Sequence, residues 1–127
     1  MKSNYKVAVA MLAGVALGAL VVQGLHAQAK PPIYVVTEID VSNIDAYLKE
    51  YVPLAQAAIK AAGGRFLAVG QNITSIEGTA PQRASVQQWE SLERYNAYRK
   101  SAAFADARKI GEQYAKFRTF AIEGMPQ

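Results

Sequence analysis

The chain has 127 residues, with 14 basic and 10 acidic side chains, one histidine, no cysteine and a formal net charge of +4. This length suits one domain with one core. The absence of cysteine excludes disulfides and thiolate chemistry, and the interspersed charges argue against a nucleic-acid partner.

The N-terminal segment, residues 1–29, has the pattern of an export signal. Two lysines precede an unbroken apolar run over residues 7–22, and Ala27 and Ala29 offer small residues to a signal peptidase. The run is shorter than the ~20 residues that span a bilayer. We therefore expect cleavage after Ala27 or Ala29, with retention as a membrane anchor as the alternative. The protein is then periplasmic or secreted from a bacterium, and it meets a membrane only if the segment is retained.

Cleavage would remove the single histidine, His26, together with two of the 14 basic residues, which leaves 12 against 10 acids and a net charge of +2. A chain without histidine or cysteine cannot hold a Ser-His-Asp or Cys-His system, a Cys/His zinc site or a haem ligated by either residue. The sequence accordingly predicts no metal site and no cofactor.

The mature chain is predicted to begin with a linker, residues 30–32, before a domain over residues 33–124 and a tail at 125–127. Residues 33–40 are β-branched and aromatic, which is typical of a strand. Ser42 or Asn43 can cap a helix over residues 44–62, and Pro53 predicts a kink or a broken turn near Val52.

The middle of the chain predicts two more strands. Residues 65–70 and 73–77 have the pattern of one long strand interrupted by a bulge at 70–72, and residues 83–89 form the next. Ser91 then caps a helical region over residues 92–114, which we expect to break near Ser101. Residues 117–123 are the last predicted strand.

The predicted order, β-α-β-β-α-β, indicates an α+β protein of ferredoxin-like fold, with a four-stranded antiparallel sheet and both helices on one face. The other face of such a sheet is bare. It must stay polar, bury a ligand or be covered by a second copy of the chain, because large exposed apolar patches are rare on soluble monomers.

Several short motifs then carry a family resemblance through their order and spacing. They are Tyr34 to Asp40, Asp45-Ala46-Tyr47 with Tyr51 and Pro53, Gly63 to Leu67, Ile76-Glu77-Gly78 and Ile122-Glu123-Gly124. Over about residues 32–124 the chain resembles the family catalogued as domain of unknown function 1330, within the dimeric α/β-barrel superfamily. The resemblance implies a homodimer in which two open sheet faces close a barrel around a cavity. It implies no established reaction, although the superfamily includes monooxygenases, isomerases, lactone-converting enzymes and haem proteins.

The chain departs from the family pattern at three places. Gln88-Trp89-Glu90-Ser91 stands where the family typically has Glu-Phe-Pro-Ser, Ser101 to Phe104 replaces Ser-Pro-Glu-Tyr, and Gly111 falls where an arginine is often found. If the family pocket uses that glutamate or arginine, this member binds something different or has lost activity.

The candidate ligand-binding residues are Tyr34, Glu38, Arg65, Gln88 and Trp89. Strand alternation points to Tyr34 and Glu38, and Gln88 stands where the resemblance implies a glutamate. Tyr34 and Glu38 share the face predicted to line the barrel, where a buried carboxylate can act as a general acid or base. The alternative is an ion pair between Glu38 and a basic residue such as Arg65. Arg65, expected on the side of Leu67 and Val69, can hold an anion or form a strand-edge ion pair.

The aromatic residues leave similar alternatives. Trp89 can stack on a flat ligand, but a lone tryptophan at a strand end is more often part of the core. Five tyrosines at helical positions are interpreted as packing residues with hydroxyls at the surface or the dimer edge: Tyr47, Tyr51, Tyr95, Tyr98 and Tyr114.

Two functions remain open from the sequence. The first is an exported protein that binds or converts a small molecule in the dimer-enclosed cavity without a cofactor. The second is a structural or interaction domain of the cell envelope with a filled barrel. Whether the protein is an enzyme is left open.

Overall fold

The described part of the chain, residues 30–126 of a computed structural model, follows the order βαββαβ. Its strands are β1 (Ile33–Val41), β2 (Arg65–Gly70), β3 (Arg83–Trp89) and β4 (Ala115–Glu123). Its helices are α1 (Ile44–Ala46), which continues through a π-helical turn (Tyr47–Tyr51) into α2 (Val52–Ala62), and then α3 (Leu92–Arg99) and α4 (Ala102–Gly111). Within this part of the chain, no helix has the length and apolarity to cross a bilayer. The predicted export signal, residues 1–29, lies outside the described residues.

The four strands form one sheet in the order β2-β3-β1-β4, and every neighbouring pair is antiparallel. Burial alternates along β1. Val35, Thr37 and Ile39 are buried on the side of the helices, whereas Tyr34 and its alternating neighbours are half-buried on the other side. The predicted α+β, ferredoxin-like architecture is therefore confirmed, including the placement of the helices on one face.

The predicted irregularity before Pro53 is a π-helical turn, in which the N–H of Val52 bonds to the carbonyl of Tyr47, five residues back. Proline cannot donate a hydrogen bond, and its ring crowds the preceding turn, so the wider turn relieves this strain. The buried residues on this helical stretch recur every four positions: Tyr47, Tyr51, Ala55 and Ile59. In a regular α-helix this repeat drifts by about 40° per step. The wider turn reduces the drift and keeps the stripe facing the sheet.

The strand predicted over residues 73–77 is wrong, because no strand follows Gly70 until β3 begins. Gly70 pairs with Ala84, the second residue of β3, so β3 offers no further backbone for residues 73–77 to pair with. Ile76 is instead 87% exposed. The bulge is also misplaced in the prediction. It lies inside β2, between Phe66 and Ala68.

The second helical region breaks at Ser101 as predicted. The Ser91 hydroxyl accepts a hydrogen bond from the Arg94 N–H and caps α3, and the Ser101 hydroxyl accepts one from the Phe104 N–H and caps α4. The helix ends at Gly111, before the predicted end at residue 114, and β4 begins at Ala115, two residues before the predicted start.

Candidate functional site

Three of the five candidate residues lie side by side on the open face of the sheet. Gln88 of β3 pairs with Tyr34 of β1 on one side and with Arg65 of β2 on the other, and paired residues point to the same face. Glu38 occupies the same face four residues along β1, beside Ala84. Tyr34, Arg65 and Gln88 thus form one row across the open face, while Glu38 belongs to a different row.

Glu38 is paired with Arg118 of β4, its direct cross-strand neighbour, through both a salt bridge and a hydrogen bond from Nε. The partner suggested by the sequence was Arg65, which lies at the other end of the open face. The Arg118 side chain is 78% exposed, so water screens this pair. Glu38 therefore has the ion-pair role that the sequence analysis gave as the alternative, with Arg118 as its partner.

Arg65 does not share a side with Val69, contrary to the sequence interpretation. The bulge between Phe66 and Ala68 adds one residue to the strand, so Val69 pairs with Ser85 on the helix side while Arg65 pairs with Gln88 on the open side. An alternation argument cannot locate such a reversal, because the bulge leaves no distinct signal in a short apolar strand.

Trp89 lies in the core on the opposite face from the other candidates. It is 1% exposed, its Nε1 donates to Gln87 Oε1 at 2.9 Å, and its ring centroid lies 5.3 Å from that of Tyr95 and 5.1 Å from that of Tyr98. These are the contacts of a core residue, which was the alternative to ligand stacking for this tryptophan.

The centre of the open face is apolar. Val36 pairs with Val86 on one side and with Phe120 on the other, and Ile122 pairs with Tyr34. Phe120 is 49% exposed and Ile122 is 58% exposed. Adjacent exposed apolar side chains of this kind mark a contact surface.

A cavity lies on the opposite face, between the sheet and the helices. Its volume is about 60 Å³, and we call it the tyrosine cavity. Its lining combines four tyrosines and one arginine with strand residues and apolar side chains: Thr37, Ile39, Tyr47, Tyr51, Val52, Ala55, Gln56, Ile59, Phe66, Ser85, Gln87, Tyr95, Tyr98, Phe104, Arg108 and Phe117. None of the five candidate residues is among them.

Every layer of the fold contributes polar groups to the tyrosine cavity. The π-helical turn supplies Tyr47 and Tyr51, whose ring centroids are 5.2 Å apart, and α3 supplies Tyr95 and Tyr98 at a spacing of three residues. The sheet supplies three buried polar side chains, Thr37, Ser85 and Gln87. The sequence interpretation of these four tyrosines as packing residues with surface hydroxyls missed this arrangement.

The three polar strand residues are the signal that could have revealed the cavity. Thr37 lies between Val35 and Ile39 on the buried side of β1, and Ser85 and Gln87 alternate with Val86 on β3. Buried strand positions normally carry apolar side chains, and a buried polar group requires a partner. Thr37 has one in Thr119, since their hydroxyl oxygens lie 3.1 Å apart. The Gln87 carbonyl accepts from Trp89, so its amide NH₂ remains as a donor.

Arg108 of α4 carries the charge of the site. Its guanidinium carbon lies 3.9 Å from the ring centroid of Phe117 and 4.9 Å from that of Phe104, so the two rings hold it by cation–π contacts. Its Nε is buried without a hydrogen-bond partner. Within residues 30–126 the ion pairs are Arg94–Glu90 and Arg118–Glu38, so Arg108 has no carboxylate partner there.

Arg83 provides a second positive charge close to the tyrosine pair. Its guanidinium carbon lies 5.5 Å from the ring centroid of Tyr47, and its Nε is also buried without a hydrogen-bond partner. The two arginines flank the tyrosine pair, and the potential around its hydroxyls is therefore positive.

Burial raises the pKa of Tyr47 to about 12, an effect that Arg83 opposes. Burial likewise raises the pKa of Tyr51, with Arg108 opposing, and the pKa of Tyr98. These phenols are therefore neutral hydrogen-bond donors at physiological pH. No carboxylate, histidine or cysteine of the described chain lines the cavity, so its side chains do not supply a general base near neutral pH. The arrangement is suited to holding oxygen atoms that carry negative charge.

The sheet order and the helices on one face define an α+β protein of ferredoxin-like fold, with a partly open cavity between the sheet and the helices. The chain belongs to the family described as Domain of unknown function (DUF1330), whose model matches residues 32–125. None of the curated proteins matches the chain.

Solved structures share the fold at low sequence identity. A protein of unknown function from Rhodopseudomonas palustris has 12% identity and a TM-score of 0.58, covering 86% of this chain and 94% of its own. SnoaB, a cofactor-independent oxygenase from Streptomyces nogalater, has 8% identity and a TM-score of 0.58, covering 76% and 96%. A conserved protein from Methanosarcina mazei Go1 has 14% identity and a TM-score of 0.52, covering 77% and 97%. At these identities the similarity is one of fold.

Proposed function

We propose that this DUF1330 domain binds a small molecule inside the tyrosine cavity, without a cofactor. The observation that carries the proposal is the placement of Thr37, Ser85 and Gln87 on the buried face of the sheet, around a hollow that also receives Arg108. Thr37 already shares a hydrogen bond with Thr119 Oγ1 at 3.1 Å, and Gln87 Oε1 accepts one from Trp89. The groups left for a ligand are therefore the Ser85 hydroxyl and the Gln87 amide NH₂, and polar groups cost free energy when they are buried without partners. The proposal moves the binding site from the barrel interior, expected from the sequence, to the other face of the sheet.

The test uses a substitution that fills the cavity and a matched control on the same helix. Ala55 lines the cavity and is buried, whereas Ala57, two residues on, is exposed. Fragments of up to about six heavy atoms are screened by protein-observed NMR. We expect binders to shift the signals of Tyr51 and Tyr98 in the wild type and in Ala57→Leu, and to lose this effect in Ala55→Leu.

Two results would contradict binding in the tyrosine cavity. If no fragment shifts these signals, or if Ala55→Leu responds as the wild type does, the cavity is not a binding site. The structural or interaction role for the domain then takes its place.

We also propose that a second copy of the chain covers the open face. The support is the exposed apolar centre around Phe120 and Ile122, bordered by charges of both signs on β1 and β4 at Glu38–Arg118 and Asp40–Lys116. A two-fold axis brings such a face against itself and matches charges of opposite sign.

The mass of the protein in solution tests the dimer. We expect a dimer for the wild type and a monomer for Phe120→Glu, because a carboxylate would be buried in the apolar contact. Ala121→Glu is the matched control, since Ala121 is exposed on the same strand but pairs with Val35 on the helix side. A wild-type monomer, or a Phe120→Glu dimer of unchanged stability, contradicts the proposal.

Export to the periplasm or the medium is the third part of the proposal, supported by the apolar run over residues 7–22 and the small residues up to Ala29. Expression of the full chain followed by fractionation and intact-mass measurement tests it. We expect a mature chain that begins after Ala27 or Ala29. A full-length chain in the membrane fraction supports the anchor alternative, and a full-length cytoplasmic chain contradicts export.

A further inference from the structure

We infer that the ligand of the tyrosine cavity is a small carboxylate anion and that Arg108 binds its negative charge. The inference rests on the proposed binding function and specifies the chemical class of the ligand. It starts from the Arg108 guanidinium, which lines the cavity while its Nε is buried without a hydrogen-bond partner.

Arg108 is half-buried, but the N–H of its Nε is shut off from water and has no partner. A charged donor in that position costs free energy until an acceptor is supplied. The contacts of Arg108 with Phe104 and Phe117 fix the plane of the group, and a side-chain hydrogen bond links it to Tyr51. The Nε–H is left without a partner. Within the described residues no aspartate or glutamate lies within ion-pair distance of Arg108. A bound carboxylate would accept two parallel hydrogen bonds from this planar group, and this is the geometry for which arginine is best suited.

The groups around Arg108 also favour an anion over a cation or a neutral ligand. Tyr51 and Tyr98 carry phenol hydroxyls, and Gln87 has a free amide NH₂, so each can donate to a carboxylate oxygen. The guanidinium of Arg83 lies beside Tyr47 and adds a second positive charge. Since the lining, drawn from residues 30–126, holds no acidic side chain, a cation would find no opposite charge there and would be repelled by the guanidinium of Arg108.

The volume limits the size of the anion. A cavity of about 60 Å³ has room for about four to six water molecules, when each needs roughly 10–15 Å³ of this volume. A carboxylate of about four to six heavy atoms fills this space, with its carbon chain against the apolar side chains of Phe104 and Phe117. Larger anions need the helices to move away from the sheet.

The experiment compares acetate with acetamide, an uncharged molecule of the same shape, and with nitrate, a planar inorganic anion. The Arg108 Nε–H signal of the purified protein is followed by NMR during each titration, with chloride keeping the ionic strength constant. We expect acetate to shift this signal in a saturable way, with at least about tenfold weaker effects from acetamide, as a charge-assisted hydrogen bond implies. A nitrate response equal to that of acetate identifies a site for planar anions in general and overturns the carboxylate assignment.

Arg108→Gln and Arg99→Gln form a matched pair of variants. Arg99 also stacks on Phe104, at 4.4 Å, but it does not line the cavity. We expect the acetate-induced shifts of Tyr51 and Tyr98 to weaken at least about tenfold in Arg108→Gln and to persist in Arg99→Gln. Should Arg108→Gln not fold, the comparison of acetate with acetamide on the wild type still decides the question.

The remaining outcomes separate the two claims. Neutral fragments can bind to the wild type and fail to bind to Ala55→Leu while acetate has no effect on either. In that case the binding function stands and the carboxylate assignment is wrong. If no fragment binds and acetate has no effect, both are wrong.

Discussion

Gly111, the last residue of α4, lies so close to the ring of Tyr51 that a Cβ on residue 111 would come within 2.7 Å of two ring carbons. Tyr51 ends the π-helical turn and lines the tyrosine cavity. The contact therefore joins the two helical segments where they border the cavity. The lack of a side chain at Gly111 gives the Tyr51 ring the space that it occupies.

Gly111→Ala is expected to destabilise the fold by about 1–3 kcal/mol, because the added methyl group overpacks the Tyr51 contact. Alanine has the higher helix propensity, by about 1 kcal/mol. A lower free energy of unfolding in the variant therefore indicates crowding, and a higher one indicates that helix propensity dominates. Urea unfolding measures it. In a Tyr51→Ala background the same substitution should cost less, since the ring is gone. If Gly111→Ala lowers the free energy of unfolding equally in both backgrounds, the Tyr51 ring is not the source of the crowding.

Alkaline pH should weaken the fold through the buried tyrosines. The pKa of Tyr47 is raised in the folded state, to about 12 against the ordinary 10.0. The protonated phenol therefore makes its full contribution to the free energy of unfolding below about pH 10. That contribution is lost as the pH rises from about 10 through about 12, because the unfolded chain releases the proton first. The free energy of unfolding should fall by an amount on the order of 2 kcal/mol between about pH 9 and about pH 12.

Urea unfolding across this pH range measures the alkaline effect, and phenolate absorbance reports the titration itself. Tyr47→Phe is the control, since it removes one of the titrating groups and should reduce the fall. A free energy of unfolding that is unchanged between about pH 9 and about pH 12 contradicts the raised pKa values.

Trp89→Phe should destabilise the protein by about 2–4 kcal/mol. The smaller ring leaves a void at a site that is 1% exposed, and Gln87 Oε1 loses its donor. Thermal or urea unfolding checks this, and the single tryptophan of the wild type should show blue-shifted fluorescence that moves to the red on unfolding. Tyr95→Phe, which keeps the neighbouring ring and removes only a hydroxyl, should cost less than about 1 kcal/mol.

Glu38→Gln is expected to have little effect. The partner Arg118 is largely exposed in the single chain, and exposed ion pairs contribute about 0–1 kcal/mol. In the proposed dimer the pair borders the apolar contact and does not lie in its centre, where a lost charge would cost more. The variant should keep both the stability and the acetate response of the wild type, because Glu38 lies on the open face and not at the tyrosine cavity. A lost acetate response in this variant would place the binding site on the open face instead.

The regular elements could be predicted from the sequence because their signals are local. The strand at Arg83–Trp89 and the caps Ser91 and Ser101 follow from side-chain type and spacing alone. Residues 73–77 were misassigned because strand formation depends on a neighbour, and β3 offers no backbone there. β-propensity describes how a segment fits a sheet and not whether one is available.

The candidate site was harder to predict because a cavity is a property of the packed layers. Alternation placed Tyr34 and Glu38 on the open face correctly, but the Glu38 partner, Arg118, lies 80 residues away and its pairing depends on the order of the strands. The helical tyrosines have an amphipathic pattern that a filled core would produce equally well. Only the polar residues at buried strand positions distinguish the two cases.

The π-helical turn lets this helix hold one residue more than a regular α-helix along the same path. Deleting a single residue between Tyr47 and Tyr51 would turn the five-residue hydrogen bond into the four-residue bond of an α-helix. Tyr47 and Tyr51 would then stand three residues apart and still share the face toward the cavity. Homologues that are one residue shorter in this turn should therefore keep both rings at the pocket, so that an alignment gap here marks a change of helix type and not a change of lining.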